Sequence, residues 1–374
     1  MIFGLTEKGH NENKSRKLVP FIMSPYDFQA VQADTKDTRS ISNILEHCRS
    51  YQGADTRRSV LQLFTTMALF IATLAVMGHF FNSHYLITVL LMPVAAGLLT
   101  RLFIFQHDCG HGCFFNSDKA NRFTGRALSM LTATPYDFWR RAHNMHHATS
   151  GDLDRRSIGG IDTITVSEYK ALPRRKKIEY RLYRNIFLLI IIGAPIYMLI
   201  GQRLPMNVPT NFYDNYKTLS SHSIWNSIML TNVLLVLFYG VAIAVFGFQA
   251  VLWVYLPVII MTTWIGAWLF YVQHQFEDAY WYKNKDWDIH ESALMGSSYY
   301  KLPRVLQWFT GNIGLHHIHH LCSKIPNYKL QDCMDAMPEL SEINVLTLKE
   351  SFQCCHLKLW DEKQEKMVSF AHVT

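Results

Sequence analysis

The sequence predicts an all-α membrane protein: four transmembrane helices under a cytoplasmic helical cap that holds a histidine-rich site. Three observations predict it. Charge is scarce: of 374 residues, 17% are charged, 49% hydrophobic and 13% aromatic, at mean hydropathy +0.03, whereas an average soluble domain is about a quarter charged. The apolar residues fall into long charge-free blocks. Ten of the 18 histidines stand in four short strings beside the ends of those blocks. This composition excludes a disordered chain and argues against nucleic-acid binding, although the formal net charge is +7.

Taken in order, residues 1–59 are polar and read as a cytoplasmic N-terminal segment. They lack a basic stretch followed by an apolar core, so no cleavable signal peptide is expected and the first span acts as its own insertion signal. Val60–Gly78 holds no charge, and Tyr85–Thr100 is a second block, ended by Arg101 and resuming to Phe105. From Ile224 to Phe276 there is no Asp, Glu, Lys or Arg over 53 residues. A span takes about 20 apolar residues, so that stretch holds two, hinged near Gly247-Phe248-Gln249. The spans are placed at about 60–79, 85–106, 224–247 and 250–272.

Charge orients them. Residues 1–59 contain 9 Lys+Arg and residues 107–223 contain 16, while His79–His84 and Gly247–Gln249 contain none. Cytoplasmic loops carry the Lys/Arg excess. Both termini and the long middle segment are therefore expected inside. The densest basic run, Arg174-Arg175-Lys176-Lys177, reads either as contact with anionic headgroups or an acidic redox partner, or, more simply, as part of the same bias. Leu172-Pro173, Leu204-Pro205 and Val208-Pro209 are turn signals in that segment. The seven cysteines fall in cytoplasmic regions and are expected reduced.

The histidine strings are His107-Asp-Cys-Gly-His111, His143-Asn-Met-His-His147, Gln273-His274-Gln275, and His316-His-Ile-His-His320. Residues i, i+3 and i+4 share a helix face. His107 and His111 can converge; so can His143, His146 and His147, and His316, His319 and His320. His317 lies off its neighbours' shared face and suits a supporting role. Chance gives about 0.04 H-x-x-H-H matches at this histidine content, and two are present. Imidazole suits zinc, copper, iron or nickel. Eight or nine histidines exceed one ion's needs and suit two. Glu7-x-x-His10 is the one Glu-x-x-His in the sequence and stands apart, so the site is nitrogen-rich rather than carboxylate-rich. Asp108, Asp152, Asp154, Glu277 and Asp278 are candidates to orient imidazoles, with plain solvent exposure the alternative for each. Trp139, Trp264 and Trp268 suit an apolar channel or an interfacial belt, with plain packing the simpler reading.

At these strings the chain resembles the membrane fatty acid desaturases, and bacterial acyl-lipid desaturases in particular. The three histidine boxes match in spacing and order. Ala148-Thr-Ser-Gly-Asp-Leu-Asp154, Gly311-Asn-Ile-Gly314 and Ile325-Pro-Asn-Tyr-Lys-Leu330 continue the likeness, which covers roughly residues 60–335. The resemblance implies two iron ions held by His107, His111, His143, His146, His147, His316, His319 and His320, with His274 as an additional ligand. It implies insertion of a cis double bond into an acyl lipid, with dioxygen as oxidant. The chain lacks the haem-binding H-P-G-G motif of fused desaturases, so a separate ferredoxin-like or cytochrome-type donor is implied. An even number of crossings must separate the boxes. The segment 186–201, short and interrupted by Gly193 and Pro195, is therefore assigned to the interface, and residues 336–374 to a cytoplasmic C-terminal tail. The location implied is a bacterial inner membrane. A hydroxylase or carotenoid-type oxygenase on the same scaffold is the nearest alternative. A His-rich metal transporter is a distant one, because the block 224–272 holds no charge where transport calls for ionisable residues.

Overall fold

The computed structural model describes residues 35–156, 159–204, 212, 219 and 221–373. Glu7, His10, Pro205 and Pro209 lie outside the described residues. Two units are distinguished. Of Met1–Ile44, Thr35–Ile44 is helical and opens helix α1 (Thr35–Ser50); Leu45–Thr374 holds everything discussed below.

Helix α2 (Thr56–Phe80) starts where the Asp55 side chain accepts from the Arg58 amide. Such a cap satisfies one of the orphan N–H groups of a first turn. A short turn leads into α3 (Tyr85–His111). Gly112 then stops the helix in the left-handed region at φ +71°, which glycine enters without steric cost. Helices α4 (Asp118–Thr132) and α5 (Tyr136–Thr149) make a corner, and α6 (Arg174–Tyr183) follows Pro173. Helix α7 (His222–Phe246) ends at Gly247, and α8 (Phe248–His274) returns through a π-helical turn over Val251–Tyr255.

Helices α2, α3, α7 and α8 are each 25 to 27 residues long and apolar enough to cross a membrane. They lie over the four apolar blocks of the sequence. In α3, 61% of the apolar window is buried, against 17%, 11% and 22% in α2, α7 and α8. α3 is therefore the central helix, and the others expose apolar faces that only lipid can cover without penalty. Its core partners include Phe70 of α2 and Val258 of α8. Arg101, buried in α3, donates to the Trp308 carbonyl and stacks 4.4 Å from the Trp308 ring.

The segment 186–201 is a broken helix. Leu188–Gly193 is π-helical, Ala194–Leu199 is α-helical with Pro195 in its first turn, and Leu188–Arg203 bends 71° from α6.

The two box-bearing elements α3 and α5 meet a third, α9 (His316–Leu321), followed by α10 (Asn327–Asp335). Residues 338–373, read from sequence as a tail, pack into the same body. Strand β1 (Tyr299–Lys301) pairs in parallel with β2 (Val345–Thr347), and β3 (Leu359–Asp361) pairs antiparallel with β4 (Lys366–Val368). Trp360 and Met367 join Tyr271, Val272 and Tyr300 in a core beside the α8 end.

Candidate metal centre

Each box sits on a helix, so its histidines converge by periodicity. Box one ends α3, one residue before the Gly112 stop. Box two closes α5, box three is α9, and His274 is the last residue of α8. Two clusters result. His107, His111, His143, His147 and His319 each offer a ring nitrogen, and these nitrogens lie within 4.8 Å of one another; His146, His274 and His320 do the same. His316 joins the second, its Nε2 lying 3.0 Å from His274 Nε2. The clusters touch where the His147 and His320 rings stack at 4.0 Å.

The nitrogen spacing carries chemical information. In the first cluster, Nε2 atoms run His107–His143 at 3.0 Å, His143–His147 at 3.0 Å and His147–His319 at 3.2 Å. In the second, His274 Nε2 lies 3.0 Å from Nε2 of both His146 and His316. An imidazole nitrogen has one in-plane position, filled by a proton or a lone pair. His143, His147 and His274 each face two such nitrogens, so N–H···N bonds cannot satisfy the arrangement. Lone pairs aimed at a shared cation can. Ligand bonds of about 2.1 Å at right angles put nitrogens about 3.0 Å apart. His111 Nε2 and His320 Nε2 are buried without a hydrogen-bond partner among the described residues, as open ligand positions would be. The residues present therefore fit a pair of metal ions.

Tautomers agree where partners define them. His107 Nδ1 lies 3.2 Å from Asp108 Oδ1 and His274 Nδ1 lies 3.2 Å from the Gly296 carbonyl. Oxygens of these kinds accept, so each Nδ1 carries the proton and each Nε2 keeps its lone pair. Burial holds His143, His146, His147, His316, His319 and His320 well below the usual imidazole range. Desolvation therefore disfavours their charged form. Apolar rings wall the clusters: Trp139 stacks on His143 at 4.8 Å, and Phe270 lies 5.0 Å from His146 and 5.1 Å from His274.

A family model described as "Fatty acid desaturase" matches residues 83–351. The chain belongs to the fatty acid desaturase family. A "Fatty acid desaturase" of Bacillus subtilis (strain 168) is 41% identical over 316 residues, covering 84% of this chain and 87% of that protein. A Helianthus annuus "sn-2 acyl-lipid omega-3 desaturase (ferredoxin), chloroplastic" is 25% identical, covering 75% and 62%. An Arabidopsis thaliana "Acyl-lipid omega-3 desaturase (cytochrome b5), endoplasmic reticulum" is 29% identical, covering 71% and 67%. The protein is thus a membrane-bound oxidoreductase that desaturates fatty acyl chains.

Within this desaturase the structure separates the candidate orienting groups. Asp108 meets an imidazole. Asp152 accepts instead from the amides of Asp154 and Arg155 and from the Arg155 side chain. Asp154 accepts from the Asn284 amide. Glu277 pairs with Lys366 at 3.1 Å, and Asp278 is exposed. Asp152, Asp154 and Glu277 serve turns and a surface pair, and all four lie beyond the helix ends, where the chain leads away from the clusters. His317 is buried with Nε2 2.9 Å from the Leu340 carbonyl, and burial lowers it to about 4; it fastens α9 to the C-terminal segment. Trp264 and Trp268 direct their indole N–H groups to the Ile191 carbonyl and the Tyr300 hydroxyl. The Gly296 carbonyl and the Phe270 ring had no sequence signal, since a backbone oxygen is common to every residue and Phe270 sits in a uniformly apolar span.

Proposed function

We propose that His107, His111, His143, His147 and His319 hold one iron, that His146, His274, His316 and His320 hold a second, and that the enzyme inserts a cis double bond into the acyl chain of a membrane lipid. The observation that supports this most directly is the pair of Nε2 clusters whose spacing hydrogen bonds cannot satisfy. A bound iron pair supplies reductive activation of dioxygen, sufficient to take hydrogen from an unactivated methylene. The balance is one –CH2–CH2– unit, one dioxygen, two electrons and two protons giving –CH=CH– and two waters.

The protein's own contribution is positional. Asp108 and the Gly296 carbonyl hold His107 and His274 in the ligating tautomer. Desolvation keeps the other box imidazoles unprotonated. Trp139 and Phe270 fix ring planes and exclude water, which protects a strong oxidant from side reactions. A narrow cavity of about 40 Å³ reaches His146 and His274 between Ile161, Phe270 and Trp281. Holding a single methylene pair against the site decides which carbons react. Electrons come one at a time from a separate donor, for which the ferredoxin and cytochrome b5 desaturases among its relatives supply two classes. The Lys/Arg distribution supports both termini and the metal site on the cytoplasmic face, and the likeness to the Bacillus subtilis protein supports a bacterial membrane.

Expression in a bacterium without desaturases tests the reading. New lipids lighter by two hydrogens are expected, and purified protein should carry two irons per chain. His146→Ala and His319→Ala should each abolish the product and lower bound iron. Lipids heavier by one oxygen would assign hydroxylation instead. Iron-free protein, or unchanged product from either variant, would refute the site.

A further inference from the structure

Asp108 uses one carboxylate oxygen on His107. Its other oxygen, Oδ2, accepts two hydrogen bonds from a single residue 219 positions away: the backbone amide of Asn327 at 2.8 Å and the Asn327 side-chain Nδ2 at 2.9 Å. Both residues are 2% exposed. Asn327 is the first residue of α10, and its carbonyl is held in turn by Asn312 Nδ2 at 3.0 Å. Asn312 belongs to the turn that leads into box three.

The chemistry of the donors matters. A buried carboxylate must be hydrogen-bonded to stay charged. Lysine or arginine would satisfy Asp108, but would also neutralise it and weaken its pull on the His107 N–H. Two neutral N–H donors satisfy Oδ2 without cancelling the carboxylate's charge, so Oδ1 still accepts from the His107 Nδ1–H. The carboxylate then fixes the His107 ring and its Nδ1–H tautomer, which keeps the Nε2 lone pair aimed into the first cluster, 3.0 Å from His143 Nε2. The same two bonds pin the end of α3 to the segment just after box three.

We propose that Asn327 is a positioning residue of the desaturase, setting the affinity of the first metal cluster through Asp108 and His107. This rests on the metal reading above and adds to it a residue outside every histidine box. Removing an outer partner of a metal-bound histidine costs roughly 10- to 100-fold in metal affinity, and that range is expected here.

The test uses the full chain in lipid nanodiscs, loaded anaerobically with iron(II) and titrated with a chelator, with melting of the metal-free protein as a folding control. Asn327→Ala should release one iron at 10- to 100-fold lower chelator concentration. Asn327→Asp keeps the shape but sets a second carboxylate against Asp108, so it should weaken that iron at least as much; this holds the test open if the alanine variant folds poorly. Asn327→Ala removes the side-chain bond and keeps the amide bond to Oδ2, so Asp108→Ala should weaken that iron at least as much, and the double variant should be no worse than Asp108→Ala, because residues acting through one path are non-additive. Wild-type iron retention in both Asn327 variants, or strictly additive losses in the double variant, would overturn the proposal while leaving the metal reading intact. Wild-type protein that binds no iron would overturn both.

Discussion

A buried cation without a carboxylate is costly at the residue scale, and Lys358 pairs with none among the described residues. It is 8% exposed, with Nζ 3.4 Å from the Tyr271 hydroxyl and 5.7 Å from the Tyr271 ring. Burial first, and the nearby Arg184 charge second, lower it from the ordinary 10.5 to about 8. Between those values the unfolded chain holds a proton that the folded chain has released, so stability rises with pH across that window. Below about 8 both states are protonated and the penalty is present in full. Lys358→Met should therefore melt higher than wild type at pH 7 in detergent, and the gap should close as pH approaches 10. A variant that melts lower at pH 7 would contradict this. Lys358 had no signal in the sequence, where a lysine among Leu357, Leu359 and Trp360 reads as a surface residue. The histidines were legible because i, i+3, i+4 spacing on a helix maps directly onto convergence. Asp108 stood out no more than Asp152 or Asp154, since a carboxylate's partner is settled by tertiary contact.

At the scale of elements, charge-free blocks locate spans well because a span must satisfy its own backbone and offer lipid an apolar surface. They locate ends less well. The second span was placed at 85–106, whereas α3 continues to His111, since polar box residues buried inside protein need not end a helix. The short strands were not legible at all: three residues cannot display a period of two, and β2 finds β1 some forty residues upstream. The corner between α4 and α5 offers a test. A Cβ on Gly125 would lie 2.2 Å from the Tyr136 ring, and the Tyr136 hydroxyl donates to the Cys109 carbonyl inside box one at 2.8 Å. Gly125→Ala must push that ring away, at about 1–3 kcal/mol for overpacking, and break the hydrogen bond. The expected result is a lower melting temperature together with weaker iron retention. Combining it with Tyr136→Leu should remove the added cost of the alanine. Equal melting of wild type and Gly125→Ala would show that the corner yields freely.

The whole molecule joins a lipid-facing bundle to a polar cap through α3 and α8, and each part predicts a different failure. The cap closes with residues 338–373, which supply Leu346, Cys354, Trp360 and Met367 to the core containing Tyr271 and Tyr300. Each fully buried apolar side chain contributes about 1.5–3 kcal/mol, so a chain truncated after Asp335 should fail to accumulate or melt far below wild type. Stable truncated protein would make that segment a separable tail. The bundle predicts sidedness. The link between α2 and α3 carries no Lys or Arg, and Ser83 within it is exposed. Cys48, Cys109, Cys113, Cys322, Cys333 and Cys354 are buried, and Cys355 is partly exposed. If the basic segments face the cytoplasm, a membrane-impermeant maleimide should label Ser83→Cys on intact cells and reach Cys355 only after permeabilisation. A Cys355→Ser background isolates the first signal. Labelling of Cys355 from outside, with Ser83→Cys silent, would invert the orientation and put the histidine clusters on the face opposite any cytoplasmic electron donor.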